Sequence, residues 1–309
     1  MPKGNIRVSV VNYRAIWGDK PANLEKMTGY IEEARDSDII VFPEAALSGY
    51  DNITEVPKSE KMQMQVAETI PGPSTDKIFK LAEKYGITVV FGMFECTPEL
   101  PGEVYNAAAI VRPGGEVFKY RKIHLPDDEG TWATPGDKIV TFNTEWGPIG
   151  ISICYDTYTF PELIRVARGW GARLHLNCTA NFAELWDNVP FRPMLEEKVL
   201  TNQIYVATAG QCGLCRHMTY IGGSSIVGTA EDCKKTVKYY AGIPFGEEGA
   251  DLEAMYTADL DLDGIDKRFY NPMFERNPYT GRPDFAPEVY ARAYAELAES
   301  EEWKSKVFD

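Results

Sequence analysis

Short apolar runs alternate with segments of helical periodicity through most of the chain. Runs rich in β-branched residues predict strands, and apolar residues recurring every three or four positions predict helices. In the first third of the chain the predicted strands are 6–13, 38–44 and 87–95, and the predicted helices are 23–35 and 74–86. Gly86 follows the last periodic position of the second helix and predicts its end.

The pattern changes at a Pro-Gly-Gly turn near residue 114, which joins the runs 105–113 and 115–124 into a predicted hairpin. Strand–helix alternation then resumes, with helices at 161–172 and 192–203, strands at 173–179 and 204–210, and a last strand pair near 222–228 and 254–262. Alternation interrupted by hairpins predicts a mixed sheet with helices outside it, rather than a simple parallel doubly wound fold.

The end of the chain differs from the rest. No repeat or low-complexity linker divides the first part, so residues 1–270 are predicted to form one domain. A Pro-rich connector and an acidic helical tail follow, and we interpret residues 271–309 as a packing or oligomerisation arm.

Composition narrows the possible partners. The 309 residues carry a formal net charge of −14, which argues against nucleic acid or an anionic membrane surface as partner. The N-terminus lacks the apolar core of a signal sequence and no stretch of eighteen apolar residues occurs, so we expect a cytoplasmic protein with no membrane association. The six cysteines show no disulfide-framework spacing, and reduced thiols are expected.

Other motifs give weaker or negative indications of a functional site. Cys212 and Cys215, followed by His217, have the spacing of a metal or redox site, but no second ligand pair follows, and a loop with incidental thiols is the favoured interpretation. No G-x-S-x-G elbow, dinucleotide fingerprint or phosphate loop occurs. We therefore expect neither a serine–histidine triad nor a cofactor or metal.

Three apolar strands end abruptly in reactive side chains: Glu44, Lys122 and Cys154. Taken alone, each has an ordinary explanation as a loop carboxylate, a solvated lysine or a buried core thiol. Together they supply a base for a thiol nucleophile and a cation for an oxyanion, and the turn after a strand places Cys154 at a helix N-terminus. The set therefore predicts nucleophilic acyl chemistry at the mouth of a sheet.

The order of short motifs around these residues resembles that of the nitrilase superfamily, the carbon–nitrogen hydrolases. The motifs are FPE at 42–44, YRKIHLP at 120–126, ICYD at 153–156, FPE at 160–162, NCTAN at 177–181 and GGSSIV at 222–227. Each is weak alone, and their order along nearly the whole chain is specific.

The resemblance implies a four-layer α-β-β-α sandwich, an α/β fold, and assembly as a homodimer or larger homo-oligomer. It implies Cys154 as nucleophile, Glu44 as general base and acid, and Lys122 with the backbone amide of Tyr155 as the oxyanion site. Glu129 stands six residues before Pro135, where a second glutamate of this family helps to position the catalytic groups; the alternative is a surface acid. We also predict that Tyr155, His124 and Asn177 contact the substrate.

The residues after the nucleophile restrict the substrate. Asp156 stands where nitrile-cleaving members have glutamate, and Thr157 and Tyr158 stand where carbamoylases that act on D-amino acids have arginines. One extra residue separates Cys154 from the second FPE motif, which lengthens this turn. We predict a thiol hydrolase that cleaves the C–N bond of a small carboxamide or N-carbamoyl compound. A nitrilase and a non-catalytic interaction scaffold remain alternatives.

Aromatic residues near the nucleophile, among them Tyr155, Tyr158 and Phe160, suit a neutral acyl group or a cationic amine, although they also fit ordinary core packing. Trp132 and Trp186 are placed on possible pocket loops. The sequence leaves the specific substrate and the size of the oligomer open.

Overall fold

The computed structural model describes residues 2–51, 55–185, 189–230, 237–267 and 276–308. Within these ranges the strands are β1 (Asn5–Asn12), β2 (Ile39–Val41), β3 (Thr88–Cys96), β4 (Val104–Val111), β5 (Val117–Arg121), β6 (Val140–Thr144), β7 (Gly147–Ile153), β8 (Leu174–Thr179), β9 (Tyr205–Gly210), β10 (Cys212–Cys215), β11 (Met218–Ile221), β12 (Ser225–Gly228), β13 (Lys238–Gly242) and β14 (Ala254–Asp261). The α-helices are α1 (Lys20–Glu33), α2 (Met62–Val66), α3 (Pro73–Tyr85), α4 (Tyr155–Thr159), α5 (Pro161–Gly169), α6 (Phe191–Asn202), α7 (Leu262–Lys267), α8 (Pro287–Glu299) and α9 (Glu301–Phe308).

Two mixed sheets of six strands organise the fold, in the orders β14-β1-β2-β3-β4-β5 and β13-β12-β9-β8-β7-β6. In each sheet a parallel trio, β1-β2-β3 or β7-β8-β9, is flanked by antiparallel strands. The predicted mixed sheet is thus confirmed, as is the hairpin of β4 and β5 around residue 114.

The expected last strand pair is wrong as a pair. The run at 222–228 contributes β12, which lies between β9 and β13 in the second sheet. The run at 254–262 contributes β14, which pairs along its full length with β1 in the first sheet. The two runs therefore belong to different sheets, and the spacing of strands along the chain does not say which sheet a strand joins.

The sheets pack face to face and helices cover both outer faces. Between the sheets, side chains such as Val8 and Val41 meet Ile151 and Leu176 in one buried cluster. Helices α1 and α3 cover the first sheet, and helices α5 and α6 cover the second. This arrangement confirms the four-layer α-β-β-α sandwich.

Local signals place the helix ends. Asp19 caps α1 by accepting the N–H of Ala22 at 3.0 Å. Gly86 ends α3 in the left-handed conformation with φ +68°, as its position after the periodic segment predicts. Among the described residues, no helix combines the length and apolar composition needed to cross a bilayer.

The chain divides into two compact units, Met1–Arg268 and Phe269–Asp309. The described part of the second unit contains the consecutive helices α8 and α9. The role of residues 271–309 as a packing or oligomerisation arm stays a prediction.

Candidate active site

The three strand-end residues converge on one cavity of about 300 Å³. Glu44 follows β2, Lys122 follows β5 and Cys154 follows β7, and all three line the cavity. Glu129 lies in a single 3-10 turn, Asp127–Thr131, and contacts Lys122 from behind. Side chains that are up to 110 positions apart in the sequence, from 44 to 154, are therefore brought together as predicted.

The turn that carries Glu44 is pressed against β3. The N–H of Phe42 donates to the carbonyl of Val90 at 2.8 Å, and the N–H of Gly92 donates to the carbonyl of Pro43 at 2.9 Å. A Cβ atom at Gly92 would lie 2.5 Å from the Glu44 Cα atom, so glycine is required for this close approach. The turn therefore holds the carboxylate at a fixed height above the sheet.

Lys122 is fully buried between two carboxylates. Its Nζ atom donates to Glu44 Oε1 at 2.9 Å and to Glu129 Oε2 at 2.6 Å. Burial opposes the positive charge, but Glu129 and Glu44 outweigh it and hold the pKa of Lys122 well above its ordinary value. The lysine is therefore a permanent cation in the cavity wall.

Asn106 joins the two carboxylates from the opposite side. Its Nδ2 atom donates to Glu44 Oε1 at 2.7 Å and to Glu129 Oε1 at 2.5 Å. Glu129 is fully buried, which excludes the alternative of a surface acid. Burial raises the pKa of Glu129 above its ordinary value, against the opposing charge of Lys122. Sequence reasoning missed Asn106, and the available signal was a single polar residue inside the apolar run 104–111.

Cys154 sits at a strained turn between β7 and α4. Its backbone has φ +49° and ψ −107°, a region that costs a non-glycine residue about 1–3 kcal/mol. The Cys154 N–H is held by the carbonyl of Cys178 at 2.9 Å and by Asn177 Oδ1 at 3.2 Å. These hydrogen bonds offset the backbone strain and hold the turn in the conformation in which the Cys154 side chain lines the cavity.

The Cys154 side chain is a thiol at rest. Burial, together with the Glu44 carboxylate, raises its pKa to about 12, although Lys122 acts in the opposite direction. The expected help from the helix N-terminus is outweighed, since α4 has only five residues. Attack by this sulfur therefore requires a base, and Glu44 is the carboxylate of the cavity wall whose charge acts on the sulfur.

Asp156 ties the nucleophile turn to the segment that follows Lys122. Its carboxylate is fully buried and accepts the N–H groups of Ile123 and His124, each at 2.9 Å, and the Tyr120 hydroxyl. From the sequence, Asp156 is predicted only to restrict the choice of substrate. The structure places it beneath the site, where it links the elements that carry Lys122 and Cys154.

The predicted substrate-contact residues fall in different places. Tyr155 lines the cavity, and its N–H is the first of α4, a position that has no acceptor within the helix. The His124 ring stacks on Phe160 with centroids 3.3 Å apart and contacts Asp156. Asn177 is fully buried behind Cys154. These placements favour supporting roles for His124 and Asn177 over substrate contact.

The cavity wall is mostly apolar, with acidic groups. Its described lining includes seven aromatic or branched aliphatic side chains, namely Tyr50, Tyr155, Tyr158, Phe182, Leu185, Val189 and Phe191. Asp127 and Asp128 add negative charge, and Lys122 is the one cation in this described lining. Trp132 is buried in the core against Phe94 instead of lining the cavity, and Trp186 lies outside the described residues.

Cys212 and Cys215 are both buried on β10 of a two-stranded hairpin. Within the described ranges, no group of three or more histidine, cysteine, aspartate or glutamate side chains is arranged to hold a metal ion. In that part of the chain the two thiols belong to a structural hairpin.

Comparison with known proteins gives consistent matches over most of the chain. A family model described as carbon-nitrogen hydrolase matches residues 7–266. A probable nitrilase of Schizosaccharomyces pombe is 29% identical over 283 residues, covering 89% of this chain and 93% of the relative. Omega-amidase NIT2 of Xenopus tropicalis is 29% identical over 261 residues, covering 79% of this chain and 84% of the relative. Saccharomyces cerevisiae Nit3, a member of branch 10 of the nitrilase superfamily, matches with a TM-score of 0.73 and 25% identity, covering 86% of this chain and 93% of Nit3.

Proposed function

Because this chain belongs to the carbon-nitrogen hydrolase family, within the nitrilase superfamily as its motifs predicted, we propose that it hydrolyses the C–N bond of a small carboxamide through a Cys154 thioester. The observation that carries the proposal is the contact of Lys122 with Glu44, at 2.9 Å, in the wall of the cavity that Cys154 also lines. A base, a cation and a thiol nucleophile are the groups that acyl transfer to sulfur needs.

The first half-reaction forms the thioester. Glu44 accepts the thiol proton as the Cys154 sulfur attacks the carbonyl carbon. The oxyanion that forms is stabilised by the Lys122 ammonium and the Tyr155 N–H. Glu44 then gives its proton to the leaving nitrogen, the C–N bond breaks, and ammonia or an amine departs.

The second half-reaction releases the acid. Glu44 takes a proton from water, the resulting hydroxide attacks the thioester carbonyl, and the C–S bond breaks. The sulfur regains its proton from Glu44, which returns to the carboxylate form, and the carboxylic acid leaves. Glu129 and Asn106 act as positioning residues, because they hold Glu44 and Lys122 at fixed separation.

The charge of the cavity supports a neutral or cationic acyl group. Lys122 is already shared between two carboxylates, while Asp127 and Asp128 face the same cavity. A substrate carboxylate would meet these acids without an arginine partner in the described lining. The volume of about 300 Å³ lies at the small end of ligand pockets.

Nitrile hydrolysis is a second candidate, supported by the identity to a relative named as a probable nitrilase. Ammonia release from hexanamide and from hexanenitrile separates the two, and we expect the amide to be the better substrate. Cys154→Ala should abolish release, whereas Cys178→Ala, which removes a buried thiol of β8, should retain it. Persistent turnover in Cys154→Ala would contradict the mechanism. Failure of a broad panel of amides, ureido compounds and nitriles would favour the interaction scaffold.

A further inference from the structure

The Cys154 thiol is held by a polar bracket, which we define as Asn177, Tyr158 and Asn181. The thiol donates to Asn181 Oδ1 at 3.3 Å. The Tyr158 hydroxyl oxygen accepts Asn181 Nδ2 at 3.3 Å and Asn177 Nδ2 at 3.2 Å. All three bracket residues are buried.

The orientation of the bracket is fixed at the Asn177 end. Asn177 Oδ1 accepts the backbone N–H of Cys154, at 3.2 Å, and the hydroxyl of Thr157, at 2.8 Å. A backbone N–H can only donate, so the oxygen of this amide must face Cys154 and its NH2 group must face Tyr158.

A chain of buried groups extends from the Thr157 hydroxyl and is compatible with this direction of the Thr157 bond. Thr157 Oγ1 lies 2.6 Å from Ser152 Oγ, which lies 2.7 Å from His175 Nε2. Because Thr157 uses its hydrogen on Asn177, Ser152 donates to Thr157 and His175 Nε2 donates to Ser152. Burial lowers the pKa of His175 to about 3, so the ring is neutral and carries the single hydrogen that this order needs.

We propose that Tyr158 is a positioning residue that turns the Asn181 amide so that its oxygen, and not its NH2 group, receives the Cys154 hydrogen. The inference rests on the proposed function in that Cys154 is taken as the nucleophile. Among the described residues, Glu44 and Lys122 are the charged groups that act on this sulfur, and Asp127 and Asp128 line the same cavity. An acceptor oxygen at the sulfur stabilises the thiol form and keeps its hydrogen in place until Glu44 takes it.

The bracket also gives a role to the lengthened turn after the nucleophile. Thr157 and Tyr158 belong to the segment with one extra residue, and both are buried and contact Asn177, while the Tyr158 side chain also lines the cavity. The positions that would carry a carboxylate clamp are thus used to hold the nucleophile.

The test measures alkylation of Cys154 by iodoacetamide as a function of pH, followed by peptide mass spectrometry, alongside amide turnover. Tyr158→Phe keeps the ring and removes the oxygen that anchors Asn181. We expect the thiol pKa to fall by about half a unit to one unit, so that alkylation at pH 8 is about three- to tenfold faster. We expect kcat to fall at the same time, because the sulfur is no longer held. An unchanged thiol pKa would overturn the proposal.

Two further variants separate this role from general destabilisation. Tyr205→Phe removes another buried hydroxyl, which donates to the carbonyl of Asp261 at 3.2 Å, and should leave the thiol pKa unchanged. Asn181→Leu removes the amide that Tyr158 orients, so adding Tyr158→Phe to it should have no further effect on the thiol pKa. Additive effects of the two changes would contradict the bracket. Alkylation does not require amide turnover, so this result is independent of whether the proposed function holds.

Discussion

Asp156 holds His124 at two points, accepting its backbone N–H at 2.9 Å and contacting its ring Nδ1 atom at 2.7 Å. Asp156 lies two residues after Cys154, and His124 lies two residues after Lys122. A single buried carboxylate therefore links the segment that carries Cys154 to the segment that carries Lys122.

The first prediction concerns this link. Asp156→Asn replaces one acceptor oxygen by an NH2 group that opposes a backbone N–H, which costs about 1–3 kcal/mol. We expect kcat to fall about tenfold to a hundredfold with little change in KM, because Lys122 is displaced and the cavity wall is kept. Steady-state kinetics check this. Asp259→Asn, at an exposed ion pair with Arg7, is the control and should behave as wild type.

Substrate charge gives the second prediction. Hexanamide, 5-aminovaleramide and glutaramate have similar lengths and end in a methyl, an ammonium and a carboxylate. We expect kcat/KM for glutaramate to be about tenfold to a hundredfold below that for hexanamide, because like charges a few ångströms apart repel by about 1–4 kcal/mol at a partly screened site. Asp128→Asn should narrow this gap. Preference of the wild type for glutaramate would contradict repulsion of a substrate carboxylate by the acidic cavity lining.

The third prediction separates the two roles of Glu44. Glu44→Gln removes the base, and turnover should fall about 10²- to 10⁴-fold. The same change removes a negative charge that raises the thiol pKa, so alkylation of Cys154 at a given pH should become faster. Parallel ammonia and alkylation assays check both. Equal loss of the two activities would indicate unfolding rather than loss of a base.

The fourth prediction concerns stability and pH. His175 is neutral in the folded chain because burial lowers its pKa from 6.5 to about 3, and it regains its ordinary pKa on unfolding. Its contribution is complete above about pH 6.5 and declines as the pH falls toward 3, by about 1.4 kcal/mol per unit. Urea unfolding of the wild type and His175→Gln between pH 7 and pH 4.5 checks this. The variant should lose stability less steeply, and identical slopes would show that the His175 ring has the same pKa in the folded and unfolded states.

Much of this arrangement could be predicted from the sequence. Strand ends are visible in the sequence because apolar runs stop at a charged or reactive residue, and this pattern identifies Glu44, Lys122 and Cys154. The order of the motifs predicted the four-layer α-β-β-α sandwich and the positioning role of Glu129. What joined these residues was a single resemblance along the chain, since spacing alone does not say which strand ends meet.

The supporting residues were harder to predict. The Asn106 side chain contacts Glu44 and Glu129, which are 62 and 23 positions away. The Asp156 carboxylate contacts partners 32 to 36 positions away, and nothing local marks any of these contacts. Asn177 and His124 were expected at the substrate because they belong to the right motifs. In the folded chain their polar atoms contact Cys154 and Asp156 respectively, and which way a side chain turns at a strand end depends on neighbours that the sequence does not identify.

The proposed Cys154 thioester is tested most directly by trapping the acyl-enzyme. Hexanamide is mixed with the enzyme, the reaction is stopped with acid within the first turnover, and the protein and its peptides are weighed by mass spectrometry. The thioester mechanism predicts a hexanoyl group on Cys154, which forms as one equivalent of ammonia is released and is absent in Cys154→Ala. Steady turnover of hexanamide with no acyl group on Cys154, or with the group on another residue, would contradict it.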